Sequence, residues 1–155
     1  MPPDFALQVV LDYRHSRVEA MEIELGRTQA LYQAHLANLA NLRDSREKLF
    51  VELRERQIGE LAMPLITQLR LNLRSVEKSI EGEQTVLAEL SLKVMEQQQK
   101  LVSARQDEET LATLKQHGLD RFRASQARNE EHQRDDIYIA QAHRRTVQAA
   151  AGGLL

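Results

Sequence analysis

Apolar residues recur with heptad spacing in two long runs of this chain. Alternating steps of three and four residues from Val18 to Leu53 reach eleven positions, of which eight are apolar. Steps of four and three residues from Leu69 to Leu111 reach thirteen positions, of which ten are apolar. A seam with an average spacing of about 3.5 residues is typical of a coiled coil. A strip on a larger helical bundle is the alternative, and it would show a wider apolar face than these mostly polar flanks allow.

The best break between the two runs lies at Gly59 and Pro64. Proline inside a helix loses a hydrogen bond and crowds the preceding turn, and it restricts the residue before it. We therefore predict helices over residues 4–58 and 65–148, a turn at 59–64 and a disordered tail at 149–155. The predicted fold class is all-α: a single domain, residues 1–155, built as a long two-helix antiparallel coiled-coil hairpin whose second helix is the longer.

The position of the turn also predicts the register. Facing residues of an antiparallel pair have a constant sum of residue numbers, and a turn centred between residues 62 and 63 gives a sum of 125 or 126. This register places Leu25 opposite Leu101 and lets the polar residues Thr28 and Gln97 satisfy each other. Residue 4 then lies opposite about residue 122, so the second helix continues beyond Phe122 without a partner.

The seam positions beyond Phe122 are polar, and a lone helix without a packed face is marginal in water. We therefore expect this segment to become fully ordered only against a partner. Gly118 lies just before it. That glycine is interpreted either as a flexible joint or as a tolerated surface residue.

Composition argues against several classes of function. Charged residues make up 28% of the chain and nearly cancel, with a formal net charge of −2. A nucleic-acid binder would show a basic excess, and a membrane-surface protein a polybasic cluster. There is no cysteine, so disulfides and zinc–thiolate sites are excluded. No secretory signal and no apolar stretch of about 18 residues occurs, so we expect a cytosolic protein without a membrane-spanning segment.

The sequence contains no convincing catalytic or metal-binding pattern. His132 and Asp136 are four residues apart, but two ligands do not make a metal site. The acidic residues Glu130, Glu131 and Asp135 precede Asp136, and a two-helix hairpin has no pocket that would shift their pKa values for acid–base work. Phosphate-binding loops, dinucleotide fingerprints and nucleophile elbows are missing from the sequence. We predict no enzyme, no metal and no cofactor.

Local sequence adds a resemblance to a known family. Residues 5–14, FALQVVLDYR, resemble the F-x-L-x-x-V-L-x-x-R opening of FliJ-type proteins, the small stalk subunits of flagellar and type III secretion export machines. VEKSIE at residues 76–81 is similar to the family's LEKxIE segment. Residues 109–123 resemble its E-x-L-x-x-L-K…R-x-x-x-x-R region, and residues 130–137 its EQKxxDE-A ending. The resemblance spans nearly the whole chain.

The resemblance implies a fold and a set of partners. The family folds as an antiparallel coiled coil similar to the rotor stalk of rotary ATPases. Its termini enter the pore of a hexameric export ATPase, its middle engages the cytosolic ring of the export gate, and it escorts unloaded substrate chaperones. For this chain, the resemblance implies a cytoplasmic protein peripherally associated with the inner-membrane export apparatus.

The resemblance also assigns candidate contact residues, several of which lie on the predicted seam. Ser45 and Leu49 stand where some members have aromatic residues. The candidates for the export gate are Asn38, Leu42, Ser45 and Leu49 on the first helix, with Val76, Ser79 and Glu83 on the second. The candidates for the export ATPase are Arg121, Phe122, Arg128 and Arg134 near and beyond the paired region, because arginine and aromatic residues are common interface anchors.

Three other interpretations stay open at this stage. One is an injectisome stalk of the same family instead of a flagellar one. Another is a holdase or prefoldin-like chaperone, which would require exposed apolar helix tips and strands between the helices. The third is a purely structural coiled-coil dimer.

Overall fold

The computed structural model describes residues 4–60 and 62–153 and consists of two α-helices, α1 (Gln8–Arg56) and α2 (Met63–Gly152). No strand occurs in the described ranges. The two helices pack antiparallel, and α2 is the longer, with 90 residues against 49. The predicted all-α hairpin with a longer second helix is therefore confirmed.

The break between the helices lies about two residues earlier than predicted, because α1 ends at Arg56 and α2 begins at Met63. Pro64 lies inside the first turn of α2. The N–H groups of a first turn make no hydrogen bond within the helix, so a proline there removes none. The Ala62 carbonyl accepts hydrogen bonds from the N–H groups of Leu65 and Ile66, both at 3.1 Å. Pro64 therefore starts the second helix, and the predicted turn at 59–64 was placed too late.

Gly59 contributes to the break by its backbone conformation. The last turn of α1 ends with hydrogen bonds from Gln57 N–H to the Leu53 carbonyl (3.1 Å) and from Ile58 N–H to the Glu55 carbonyl (3.3 Å). Gly59 follows with φ of +91°, in the left-handed region that favours glycine. This conformation turns the chain away from the axis of α1.

The end of α2 extends further than predicted. Residues 149–152 are helical, whereas the sequence analysis placed them in a disordered tail. The N–H of Gly153 still donates to the Ala149 carbonyl at 3.0 Å. Three consecutive alanines, the strongest helix formers, explain the extension. The last two residues of the predicted tail lie outside the described residues.

Contacts within the chain define two compact units. The hairpin unit is His15–Gln106. The terminal unit consists of the described residues up to Arg14 together with those from Asp107 onwards. The hairpin unit contains three clusters of buried apolar side chains, at its far end, its middle and next to the turn. Their buried members are Val18, Leu101 and Ala104; Leu39, Ile80 and Leu87; and Leu53, Ile66 and Leu69.

The predicted seam is the buried strip of both helices. All eleven seam positions on α1 and all thirteen on α2 are buried or half-buried, while nearly all residues beside them are exposed. Two helices facing only each other can bury one narrow strip each, which favours the two-stranded coiled coil over the wider bundle.

Leu25 packs against the cluster that contains Leu101, the pair that the predicted register places opposite each other. Side-chain contacts between the helices join His35 to Glu83, Asn38 to Glu83 and Glu22 to Arg105, with residue-number sums of 118, 121 and 127. These sums lie on both sides of the predicted 125 or 126, because long polar side chains reach residues up to about one turn along the facing helix.

The polar seam residues Thr28 and Gln97 do not satisfy each other as predicted. Thr28 is buried, and its hydroxyl donates to the Glu24 carbonyl of its own helix at 3.1 Å. Gln97 Oε1 is buried without a hydrogen-bond partner. A buried acceptor without a partner lowers the free energy of unfolding.

The terminal unit shows where the seam ends. Leu111 is buried there, and Leu11, Leu119 and Phe122 are half-buried. The guanidinium of Arg14 donates to the Asp107 carbonyl at 2.9 Å. From residue 123 to residue 153 every residue is exposed. Residues 123–152, the exposed arm, therefore form a helix without a packed face, as the sequence predicts for the segment beyond Phe122.

Replacing Gln97→Leu should stabilise the protein. The change removes the buried acceptor without a partner and adds apolar surface to the seam, so we expect the free energy of unfolding to rise by about 1–2 kcal/mol. The midpoint should rise by a few degrees in thermal unfolding followed by circular dichroism. Gln98→Leu, on the exposed neighbour, is the matched control and should change the midpoint little. Equal effects of the two variants would contradict this account of Gln97.

Candidate partner-binding surfaces

The seven candidate gate residues lie together on one side of the hairpin unit, which we name the gate strip. On each helix they recur at steps of three and four residues, so they form one stripe per helix. The amide of Asn38 donates to Glu83 Oε1 at 2.9 Å and joins the two stripes. The residue numbers of Asn38 and Glu83 add up to 121, and the same sum places Leu42 opposite Ser79 and Ser45 opposite Val76. The strip consists of Asn38, Leu42, Ser45, Leu49, Val76, Ser79 and Glu83.

The members of the gate strip differ in their accessibility. Asn38, Ser45 and Ser79 are exposed, and the Ser79 hydroxyl donates to the Ser75 carbonyl at 3.1 Å. The apolar members are half-buried, because they pack at the edges of the middle and turn-proximal clusters. In a half-buried side chain, one edge packs in the seam while the other edge is accessible to a partner. The strip thus presents short polar groups with apolar edges between them.

A hydrogen-bond network joins the helices within the gate strip. His35 Nδ1–H donates to Glu83 Oε2 at 2.8 Å, while Asn38 occupies the other carboxylate oxygen. The side chains of His35 and Glu83 are 30% and 16% exposed. His35 was not among the contact residues predicted from the sequence. The signal in the sequence that could have identified this contact is a polar residue at a seam position of each helix, His35 on α1 and Glu83 on α2.

The network lowers the pKa of the Glu83 carboxyl. The hydrogen bond from His35 is the largest cause, desolvation by burial opposes it, and Asn38 and the charge interaction with His35 add to the lowering. Hydrogen bonds donated to a carboxylate favour its charged form. Glu83 therefore remains ionised in the folded protein at pH values where an exposed glutamate begins to take up a proton.

The four candidate ATPase residues do not form one patch. Phe122 is half-buried at the end of the seam, and Arg121, whose Nε donates to the His117 carbonyl at 3.4 Å, is exposed beside it. Arg128 lies seven residues after Arg121 and shares its helix face, whereas Arg134 points in another direction. Arg128 and Arg134 are both fully on the exposed arm. The arm presents its arginines around the helix instead of on one side.

Apolar side chains on the exposed arm add to its candidate contacts. Ile137, Tyr138 and Ile139 are 58%, 71% and 64% exposed, and Val147 is 53% exposed. Three consecutive positions point to three sides of a helix, so they cannot all pack on one neighbour in a hairpin. Tyr138 was not among the predicted contact residues, although an aromatic residue in a polar helix was the available signal.

The described residues contain neither a metal-binding cluster nor a membrane span. No three histidine or acidic side chains lie close enough to hold a metal ion in the part of the chain that the structure describes. Within the same ranges, neither helix has a segment apolar enough to cross a bilayer. The acidic residues around His132 are exposed on the arm.

The network around Glu83 predicts a pH-dependent contribution to stability. Because folding lowers the pKa of Glu83, its stabilisation is complete above the unfolded value of about 4.3 and is lost as the pH falls through the lower folded value. We expect the midpoint difference between the wild type and Glu83→Gln to be greatest near pH 7. Below about pH 4 it should shrink.

Thermal unfolding between pH 3 and pH 7 measures this difference. Glu89→Gln, on an exposed residue of the same helix, is the matched control and should give a small difference at every pH. A difference for Glu83→Gln that stays constant over the whole range would contradict the assignment.

Comparison with known proteins identifies the family. The family model described as "Flagellar FliJ protein" matches residues 3–146, which include all of α1 and most of α2. No curated protein and no solved structure matches the chain. The family match includes the gate strip and most of the exposed arm. The chain therefore belongs to the flagellar FliJ protein family, whose members serve flagellar type III protein export as non-enzymatic stalk proteins.

Proposed function

We propose that this protein links a hexameric export ATPase to the cytosolic ring of the export gate and escorts unloaded substrate chaperones. The observation that carries the proposal is the exposed arm. Side-chain packing stops at Phe122, yet the helix continues through Gly152 with every residue exposed. An extended helix without a packed face gains little by itself in water, and its ordering is best explained by a partner.

The exposed arm suits the interior of a ring. Thirty helical residues span about 45 Å, which is comparable to the depth of a protein ring. Its side chains surround the helix, so several subunits of a ring can contact it at once. Arginine and tyrosine, both present on the arm, are frequent interface anchors. We assign Arg121, Phe122, Arg128 and Arg134 to the contact with the export ATPase.

The gate strip suits a second, separate contact. Its exposed polar groups and half-buried apolar edges lie within the hairpin unit, whereas the arm lies in the terminal unit. The network of His35, Asn38 and Glu83 holds the two helices in one register there, which fixes the relative positions of the strip's members. A fixed arrangement of contacts favours recognition by the gate ring.

The remaining assignments follow from the family and the proposed partners. We place the protein in the cytoplasm, peripherally associated with the inner-membrane export apparatus. The flagellar description of the matching family favours a flagellar over an injectisome system. No strand supports a prefoldin-like chaperone in residues 4–60 and 62–153. An obligate dimer in light scattering would favour a structural coiled coil instead.

Charge reversal on the exposed arm tests the ATPase contact. The double variant Arg128→Glu, Arg134→Glu should weaken binding to the hexameric export ATPase by at least tenfold, because two anchors become repelled charges. Binding can be measured by biolayer interferometry, together with stimulation of ATP hydrolysis. Neither substitution touches the seam, so thermal unfolding should be unchanged.

The matched control is Arg17→Glu, Arg27→Glu, which reverses two exposed charges within the hairpin unit. It should bind the ATPase within about twofold of the wild type. If both double variants lose affinity equally, the attraction depends only on net charge. If neither does, the arm's arginines do not contact the ATPase.

A second pair of variants tests the gate contact. Ser45→Arg with Ser79→Arg places two long side chains on exposed positions of the gate strip. Binding to the purified gate ring should fall by about tenfold, while binding to the ATPase should be unchanged. The control, Ser16→Arg with Ser103→Arg, changes two exposed serines of the same unit outside the strip. Retained gate binding by the first variant would exclude the strip as the gate surface.

A further inference from the structure

The charged residues of the exposed arm are grouped along its axis. Two basic groups enclose an acidic one, and we name the three groups the charge bands. Their members are Arg123 and Arg128; Glu130, Glu131, Asp135 and Asp136 together with Arg134; and Arg144 and Arg145. With histidine neutral, the bands carry net charges of +2, −3 and +2. Asp120 and Arg121, directly before the arm, add one charge of each sign.

This grouping differs from the charge pattern of the hairpin unit. There the signs alternate along α2, as at Glu89, Lys93, Glu96 and Lys100. Alternation of sign along a helix is typical of a solvated face laced by ion pairs. In residues 4–60 and 62–153, no ion pair within 4 Å joins two charged side chains of the arm. The charges of the bands are therefore exposed to a partner instead of being paired within the chain.

The carboxylates of the acidic band surround the helix. Successive residues of an α-helix are about 100° apart, so Asp136, Glu130, Glu131 and Asp135 point to about 0°, 120°, 220° and 260° around the axis. A neighbouring helix faces a stripe about 100° wide, which holds at most two of these four groups. A second copy of this chain lying along the arm would leave the others unmatched. A partner that encloses the arm reaches all four.

The spacing of the charge bands along the arm is uneven. Their centres lie about 11 and 17 Å apart, counted from the middle of each band at 1.5 Å per residue. An enclosing wall with zones of opposite charge at the same spacings attracts all three bands at one depth. Moving the arm by about 11 Å brings the acidic band opposite an acidic zone, where like charges repel. The bands therefore define one depth of insertion.

We propose that the charge bands set the depth at which the exposed arm is held inside an enclosing partner. The wall of that partner is basic where it faces residues 130–136 and acidic on either side. This role depends on the proposed contact with the hexameric export ATPase, and it names the chemistry of the ring's pore. Because the carboxylates point to all sides, the arm can turn about its axis without leaving the basic zone.

Exchanging charges between two bands tests the proposal on the full-length protein at pH 7.5. The variant Asp135→Arg, Asp136→Arg, Arg144→Asp, Arg145→Asp keeps the composition and the net charge of the arm and removes the bands. Its Kd for the hexameric export ATPase, measured by biolayer interferometry, should rise at least tenfold. Added salt should reduce the difference from the wild type, because charge contacts are screened.

The matched control exchanges four charges on exposed positions of the hairpin unit. It is Glu89→Lys, Lys93→Glu, Glu96→Lys, Lys100→Glu, which also keeps the net charge. Its Kd should stay within about twofold of the wild type. Neither variant changes a seam position, so circular dichroism and thermal unfolding should show the wild-type hairpin.

Photo-crosslinking measures the depth and the charge of the wall. The chain has no cysteine, so one introduced cysteine carries a benzophenone label at one known position. Gln126→Cys lies in the first basic band and Gln133→Cys in the acidic band, both exposed and seven residues apart on the same side of the helix. In the ATPase complex, the first label should attach to an acidic segment of the ring and the second to a basic one.

The outcomes separate this proposal from the ATPase contact on which it depends. If charge reversal at Arg128 and Arg134 weakens binding but the exchange variant binds like the wild type, the bands are rejected and the contact stands. If neither variant loses affinity, both are rejected. Labels at 126 and 133 that attach to segments of the same charge would also overturn the bands. So would a dimer in sedimentation that the exchange variant abolishes, since the arm's charges would then pair with a second copy.

Discussion

The whole architecture depends on one narrow apolar seam between two helices. Spacing of 3.5 residues keeps the same side of each helix towards its neighbour, and three clusters of leucine, isoleucine, valine and alanine form along it within the hairpin unit. Because each helix buries only this strip, most other residues remain exposed.

The limits of the seam set the limits of the functional regions. Within the hairpin unit the seam leaves two flanks. One carries the gate strip, and the other has no charged side chain between residues 26 and 40 of α1 and between residues 84 and 102 of α2. In the terminal unit the seam stops at Phe122, and the exposed arm follows. The polar network of His35, Asn38 and Glu83 occupies seam positions or their edges, where it contributes register instead of hydrophobic burial.

Much of the fold could be predicted from the sequence, because apolar spacing reports directly on burial. Val18 to Leu53 and Leu69 to Leu111 lie on the seam as their spacing indicates, and the loss of packing after Phe122 follows from the polar residues there. The position of the turn could not be predicted to the residue, since Pro64 both breaks a helix interior and fits a first turn. The predicted hydrogen bond between Thr28 and Gln97 does not form, because the Thr28 hydroxyl donates to the Glu24 carbonyl of its own helix.

The candidate surfaces were predictable to different degrees. The gate strip was selected through resemblance, and its seven members lie along one side of the hairpin unit. His35 and the uncharged part of the second flank were missed because apolar periodicity does not report on polar or uncharged surface positions. A polar pair inside a seam and a flank without charges are both weak signals in one sequence. They become clear only when contacts show which residues share a side, as Gln33 and Met95 do.

Hydrogen–deuterium exchange of the full-length chain, alone and with the hexameric export ATPase, tests the central claim most directly. In the free protein, we predict slow exchange on both helices up to about residue 122 and fast exchange along the exposed arm, because unpacked helix opens readily. The ATPase should protect residues 123–146 and leave the hairpin unit unchanged. Protection confined to the hairpin unit, or an arm as slow as the seam in the free chain, would contradict the account.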